Sequence, residues 1–98
     1  MVGGRARALP PRELTDDPEA WPDRPSADLG AEAVREVSRS LAAAITDRGL
    51  SLRGASTASG VNRQAIADLL AGRSWPDVAT VARLGVALDV DLWPPSPR

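Results

Sequence analysis

The sequence of 98 residues contains no cysteine, no histidine and no lysine. Without cysteine there is no disulfide, no thiolate zinc site and no thiol nucleophile. Without histidine the commonest general base and the commonest transition-metal ligand are also missing. No pair of carboxylates marks a pocket in their place. We therefore expect no enzyme activity and no cofactor or metal.

The chain also lacks a long apolar run. Its start, MVGGRARALPPREL, has no apolar core of the kind that follows the basic residues of a signal peptide. No run approaches the roughly 18 apolar residues of a membrane span. The sequence therefore predicts a cytoplasmic protein that has no contact with a membrane.

The chain has little net charge, −1 at pH 7, and every basic residue is an arginine. Residues 1–30 hold four arginines against six acids, and residues 31–98 hold eight against seven. A basic surface, if there is one, must therefore be local. Arginine suits such a surface because its forked guanidinium matches phosphate and guanine.

The first 30 residues hold five of the nine prolines and three of the eight glycines. Their few apolar residues follow neither a helical nor a strand period, so we expect a flexible N-terminal arm over residues 1–29. A short flexible tail is expected over residues 94–98. Two roles remain open for the arm: Arg5 and Arg7 enter a DNA minor groove, or the arm binds a protein partner. Trp21 stands out, because a lone tryptophan in such a segment often docks on another surface.

Helical periodicity begins after the arm. Apolar residues recur at intervals of three and four, which predicts helices over about 30–48, 52–58, 63–71 and 77–88. Asp91, Leu92 and Trp93 are expected to add one more turn. No segment alternates with a period of two, so no sheet is expected. The predicted fold is an all-α bundle of four to five helices over residues 30–93.

Residues that favour helix ends lie between these segments. Ser51 and Asn62 are candidate N-caps, and Gly49 and Gly72 are candidate C-terminal stops. Pro76 is expected at the start of the last helix, where its missing N–H group is not needed. Gly60 is expected to form a tight turn between the two short central helices.

Two short helices joined by a glycine turn form a helix-turn-helix. Residues 31–93 resemble the phage-repressor/Cro (XRE-type) helix-turn-helix family. The matching features are, in chain order, Gly49, Leu50, Ser51, Gly60, Val61, Ile66, Gly72, Arg73, Pro76 and Leu88. The sequence departs from the family where Leu52 replaces a common glutamine and Ser56 a common alanine. Gly54 also weakens the second helix, by about 0.5–1 kcal/mol relative to alanine.

The resemblance implies that the third helix enters the major groove of double-stranded DNA. It also gives a role to Asn62 and Gln64, the only asparagine and the only glutamine in the chain. Glutamine can bond adenine through two atoms, and arginine can do the same to guanine. Base contacts are expected from four residues: Arg63, Gln64, Ala67 and Asp68. Phosphate contacts are expected from five: Ser51, Arg53, Asn62, Arg73 and Ser74.

Two functions stay open at this point. The first is a transcriptional regulator, a repressor, that binds a short palindrome as a homodimer. The second is a protein-interaction module on the same fold, such as an antitoxin-like or adaptor protein. The arginine–glutamine pair at positions 63 and 64 favours the first, and the pI of 5.3 favours the second. Trp75 and Trp93 likewise have two interpretations, as packing residues or as contacts in the dimer.

Overall fold

The computed structural model describes residues 9–93 and contains four α-helices there. Helix α1 is Leu29–Asp47, α2 is Leu52–Ser59, α3 is Arg63–Leu70 and α4 is Val78–Leu88. No strand forms within residues 9–93, where Thr15 and Ser26 make one isolated antiparallel bridge. The all-α prediction is therefore confirmed with four helices, and the extra turn over residues 91–93 is not helical. The predicted tail over residues 94–98 lies outside the described residues.

Helix α1 begins and ends through local hydrogen bonds. The Asp28 carboxylate accepts from the Ala31 N–H group at 2.9 Å, as an N-cap does. At the other end Gly49 has a φ of +63°, and the Leu50 N–H group donates to the Ile45 carbonyl at 3.0 Å. This left-handed glycine stop turns the chain toward α2. The stop predicted at this glycine is confirmed.

The core is a single aliphatic cluster that draws on all four helices. Its members are Val34, Val37, Leu41, Ala44, Ile45, Ala55, Val61, Ile66, Leu69, Val81, Leu84, Leu88 and Leu92. Burying one aliphatic side chain of this size contributes about 1.5–3 kcal/mol, so the cluster supplies most of the stabilisation of the bundle. Helix α2 contributes only Ala55 to the buried cluster, with Leu52 packed partly buried against it.

The expectation that Pro76 starts the last helix is wrong, because Pro76 lies two residues before the first residue of α4. Helix α4 begins at Val78, and its N-cap is Asp77, whose carboxylate accepts from the Thr80 N–H group at 2.7 Å. Pro76 precedes the cap. The reason is that aspartate is a stronger capping residue than proline is a first-turn residue, and the two are adjacent here.

The structure also differs from the expectation of a free N-terminal arm. Residues 9–28, which we name the N-terminal strap, contain two short 3₁₀ turns, Pro11–Leu14 and Pro18–Ala20, and lie against the helices. Pro11 is fully buried, and Trp21 packs against the core. Tertiary contacts thus compensate for the ordering of a segment whose own pattern is aperiodic. Residues 1–8, with Arg5 and Arg7, lie outside the described residues.

The longest helix in residues 9–93 is α1, and neither it nor the other helices in this range are both long and apolar enough to cross a membrane.

Candidate nucleic-acid interface

The turn between α2 and α3 is held by glycine geometry and by serine side chains. Gly60 has a φ of +75°, and its N–H group donates to the Ser56 carbonyl at 2.8 Å. The Ser56 hydroxyl donates to the Val61 carbonyl at 2.6 Å, across the turn. Ser59 adds a bond from its hydroxyl to the Ala55 carbonyl at 2.7 Å. The serine that departs from the family pattern therefore fixes the angle between the two helices.

The start of α3 is capped, and its first residues face solvent. The Asn62 side-chain oxygen accepts from the N–H groups of Gln64 at 2.8 Å and Ala65 at 3.3 Å, which confirms the predicted N-cap. Because this oxygen is used, the amide nitrogen of Asn62 remains as a donor. Arg63 and Gln64 are exposed, while Ile66 on the opposite face is fully buried. The first turn of α3 thus presents its polar residues outward.

Three of the predicted site residues are joined through one carboxylate oxygen. Asp68 Oδ1 accepts from Gln64 Nε2 at 3.0 Å, from Arg73 Nε at 3.2 Å and from Arg73 Nη2 at 3.0 Å. The hydrogen bond from Gln64, followed by that from Arg73, lowers the pKa of the Asp68 carboxyl below its ordinary value. The carboxyl is therefore ionised at neutral pH, and it orients both neighbours.

The approach of Arg73 to Asp68 follows from the way α3 ends. Gly72 has a φ of +71°, its N–H group donates to Leu69 at 3.1 Å, and the Arg73 N–H group donates to the Asp68 carbonyl at 2.9 Å. This pair of bonds is a Schellman motif, which places Arg73, the third residue after the helix, beside Asp68 in its last turn. In most such motifs that contact is apolar, whereas here it is an ion pair.

The other predicted contact residues lie on α2, on α3 and in the loop after α3. The Ser51 hydroxyl caps α2 by accepting from Gly54 N–H at 3.0 Å, which leaves its own proton for a further acceptor. Arg53 is exposed on the first turn of α2. Ala67 is half-buried on α3, and Ser74 is half-buried in the loop that follows Arg73. The structure therefore arranges these residues along α3 and at both ends of the α2–α3 unit.

The arrangement of α2, the glycine turn and the exposed α3 is that of a DNA-binding helix-turn-helix. A family model described as helix-turn-helix matches residues 41–92, which is more than half of the chain. The chain therefore belongs to the helix-turn-helix family of the phage-repressor/Cro (XRE) type, a family of DNA-binding regulatory domains. Searches of curated proteins and of solved structures gave no significant match.

Sequence reasoning missed two features near this surface. The first is the Asp68 hydrogen-bond group, although the spacing of Gln64 and Asp68 by four residues on one helix was a usable signal. The second is the partner of Trp21: the sequence singled out this residue as one that docks, but did not indicate the end of α3 as the surface it docks on. Its only signal was a large aromatic residue in an otherwise apolar-poor segment.

Proposed function

We propose that this protein is a sequence-specific transcriptional regulator, a repressor, that reads the major groove of double-stranded DNA with α3. The observation that carries the proposal is the polar, solvent-facing first turn of α3, where Arg63 and Gln64 lie on a helix held firmly by its buried face. A helix fits the major groove, and these two side-chain types are the ones that best distinguish guanine and adenine.

The geometry gives Gln64 a defined orientation for base reading. One amide hydrogen of Gln64 is used by Asp68. The second amide hydrogen and the carbonyl oxygen remain, and together they match N7 and N6 of adenine. Arg63 has no ion pair among residues 9–93, so its fork is available for O6 and N7 of guanine.

Phosphate contacts in this proposal come from the ends of the α2–α3 unit. Arg53 and Ser51 lie at the start of α2, and Arg73 and Ser74 lie after α3. Arg73 keeps donors for a phosphate while it pairs with Asp68, because a guanidinium carries five N–H groups. Contacts of this kind fix the register of the protein on DNA but carry no sequence preference.

We further propose that two copies bind one operator through α4. Val78 and Val86 are 70% and 84% exposed, and Trp93 beside them is 51% exposed. Ala82 lies midway between the two valines, so a two-fold axis through Ala82 would place Val78 of one copy against Val86 of the other. The exposure of Trp93 supports its interpretation as a dimer contact.

The test is a selection of bound sites from random duplexes, followed by titrations of Gln64→Ala and Arg73→Ala. Gln64→Ala should lose about 1–3 kcal/mol on the selected operator and much less on a scrambled duplex. Arg73→Ala should weaken both duplexes by similar factors and lower the salt slope of affinity by about one. Arg24→Ala, which removes an exposed arginine that has no part in the proposed DNA or dimer contacts, is the charge-matched control. Equal losses for Gln64→Ala on both duplexes would contradict the base-reading role.

A second candidate function is a protein-interaction module, and one observation favours it. The strap that packs on the helices holds six acids against two arginines, so part of the surface near the helix-turn-helix is acidic. The two functions separate on random duplex DNA. If the protein binds DNA, its affinity for random duplex falls steeply as the salt concentration rises. If it is an interaction module, it has no measurable affinity for that duplex.

A further inference from the structure

We propose that Trp21 is a positioning residue for DNA binding. Trp21 belongs to the N-terminal strap, and it fastens to the strap the loop that carries Arg73. The inference rests on the proposed function. It assigns a task to a segment that lies before the helix-turn-helix and that the family match over residues 41–92 does not cover.

The strap is anchored to α1 at its far end. Arg35, only 7% exposed, donates from Nη1 to the Pro22 carbonyl at 3.1 Å and pairs with the Glu32 carboxylate. Glu32 in turn accepts from the Ser26 N–H group at 2.9 Å. A buried guanidinium with these partners makes a firm attachment, since leaving any of them unpaired would be costly.

Three further strap bonds reach the segment from residue 70 to residue 75. Trp21 Nε1 donates to the Leu70 carbonyl at 3.1 Å, and the Arg12 N–H group donates to the Gly72 carbonyl at 3.0 Å. Trp75 Nε1 donates back to the Leu9 carbonyl at 2.9 Å. The last residue of α3 and the loop after it are therefore held from outside the helix-turn-helix.

The indole of Trp21 also fits closely on Gly72. A Cβ atom at Gly72 would lie 2.5 Å from an indole carbon of Trp21, which is less than any real contact distance. Gly72 is thus required twice, for its left-handed backbone and for the close approach of the ring. The fit fixes the peptide that immediately precedes Arg73.

Arg73 lies between the strap contacts. Gly72 before it and Trp75 after it are both bonded to the strap, while its own guanidinium points to Asp68. The direction in which the Arg73 side chain projects from the backbone is therefore set by the strap as well as by α3. A phosphate contact by Arg73 depends on that direction, because charge-assisted hydrogen bonds need aligned donors.

The experiment compares wild type, Trp21→Phe and Trp21→Ala in the full chain. Phenylalanine keeps an apolar ring over Gly72 but removes the bond to Leu70, and alanine removes both. Circular dichroism first establishes that each variant is folded at the titration temperature. Affinity is then measured on operator and scrambled duplexes at several salt concentrations. Leu29→Ala is the control, because it also shortens a large apolar side chain but does so at a position on α1 that is 73% exposed and has no part in the proposed DNA or dimer contacts.

Trp21→Ala should weaken binding to both duplexes by roughly three- to tenfold at low salt and lower the salt slope by about one, as loss of one phosphate contact does. The ratio of operator to scrambled affinity should not change, since α3 keeps its first turn. Adding Arg73→Ala to Trp21→Ala should cause little further loss, because the two changes remove the same contact.

A folded Trp21→Ala variant with the wild-type salt slope overturns the inference, since a purely structural residue changes the folded fraction and not the number of phosphates neutralised. Full additivity of Trp21→Ala and Arg73→Ala overturns it too. Failure of the wild-type protein to bind either duplex is a different result, and it overturns the proposed function together with this inference.

Discussion

At the scale of single residues, one oxygen atom of Asp68 connects the residue proposed to read bases with a residue proposed to contact phosphate. Oδ1 accepts from Gln64 on the first turn of α3 and from Arg73 after the helix. Sequence reasoning assigned Asp68 itself to a base contact. The hydrogen bonds favour a different proposal, in which the carboxylate orients two other side chains and also repels phosphate.

This proposal predicts different results for Asp68→Asn and Asp68→Ala. Both variants remove a negative charge beside the proposed DNA path, so both should bind scrambled duplex more tightly, by about three- to tenfold at low salt. Asparagine keeps an oxygen for Gln64, and alanine does not. The operator-to-scrambled ratio should therefore fall in Asp68→Ala and be largely retained in Asp68→Asn. Anisotropy titrations on both duplexes measure the ratio. If Asp68→Ala kept the wild-type ratio of operator to scrambled affinity, Gln64 would not need Asp68 to orient it.

The caps show how far sequence reasoning extends at this scale. Ser51 and Asn62 were predicted as N-caps and are N-caps, because a cap involves only residues within one turn. The bond from Ser56 to Val61 was not predicted, since it depends on how the chain turns at Gly60. The exposed positions of Arg63 and Gln64 follow from the helical period, whereas their contacts with DNA remain predictions.

At the scale of elements, the helices end in a common way. Residues in the left-handed region follow α1, α2, α3 and α4, namely Gly49, Gly60, Gly72 and Asp89. Their surroundings differ. A Cβ atom at Gly49 or Gly60 would meet nothing within 4 Å, whereas at Gly72 it would collide with Trp21.

This difference predicts unequal costs for the same substitution. Gly49→Ala should destabilise the protein by about 1–2 kcal/mol, the cost of placing alanine in a left-handed conformation. Gly72→Ala should cost roughly 1–3 kcal/mol more, because the new methyl group displaces an indole. Urea denaturation gives both values. In a Trp21→Ala background the two costs should become similar, and a difference that persisted there would mean that the ring is not its source.

The elements also show why part of the fold was predictable and part was not. The four helices were located to within about two residues, because their apolar period and their end residues are local signals. The strap was predicted to be a free arm because its composition has no period. Its docking depends on Arg35, Trp21 and Trp75, whose partners lie 13, 49 and 66 residues away along the chain. No local pattern contains such pairs.

At the scale of the whole molecule, size argues for two copies on DNA. The described part of the chain measures 37 × 26 × 22 Å. An eight-residue helix such as α3 is only about 12 Å long, so in the proposed function one copy would read few base pairs. Two-fold related half-sites about 34 Å apart are the usual arrangement for repressors of this fold.

The dimer proposal predicts the effect of a charge on α4. Val86→Asp should reduce the complex on the operator from two copies to one, because the new carboxylate would face Val78 and the adjacent Asp77 of the other copy. Since Val86 is 84% exposed, the fold itself should be unaffected. Light scattering of the protein–DNA complex gives the stoichiometry. Ala42→Asp on the exposed side of α1 adds the same charge elsewhere and should leave two copies bound. If two copies of Val86→Asp still bound one operator, this face of α4 would not be the dimer interface.

The strap imposes an order on biosynthesis. Leu9 is synthesised early, and its partner Trp75 is added 66 residues later. At the usual rate of about 5–20 residues per second, this delay is roughly 3–13 seconds. For most of that interval Trp21 has no Gly72 to cover, so the earliest part of the described chain must wait for a late part before it can dock. A newly made molecule therefore cannot fasten its N-terminal segment until both helices of its helix-turn-helix have been synthesised.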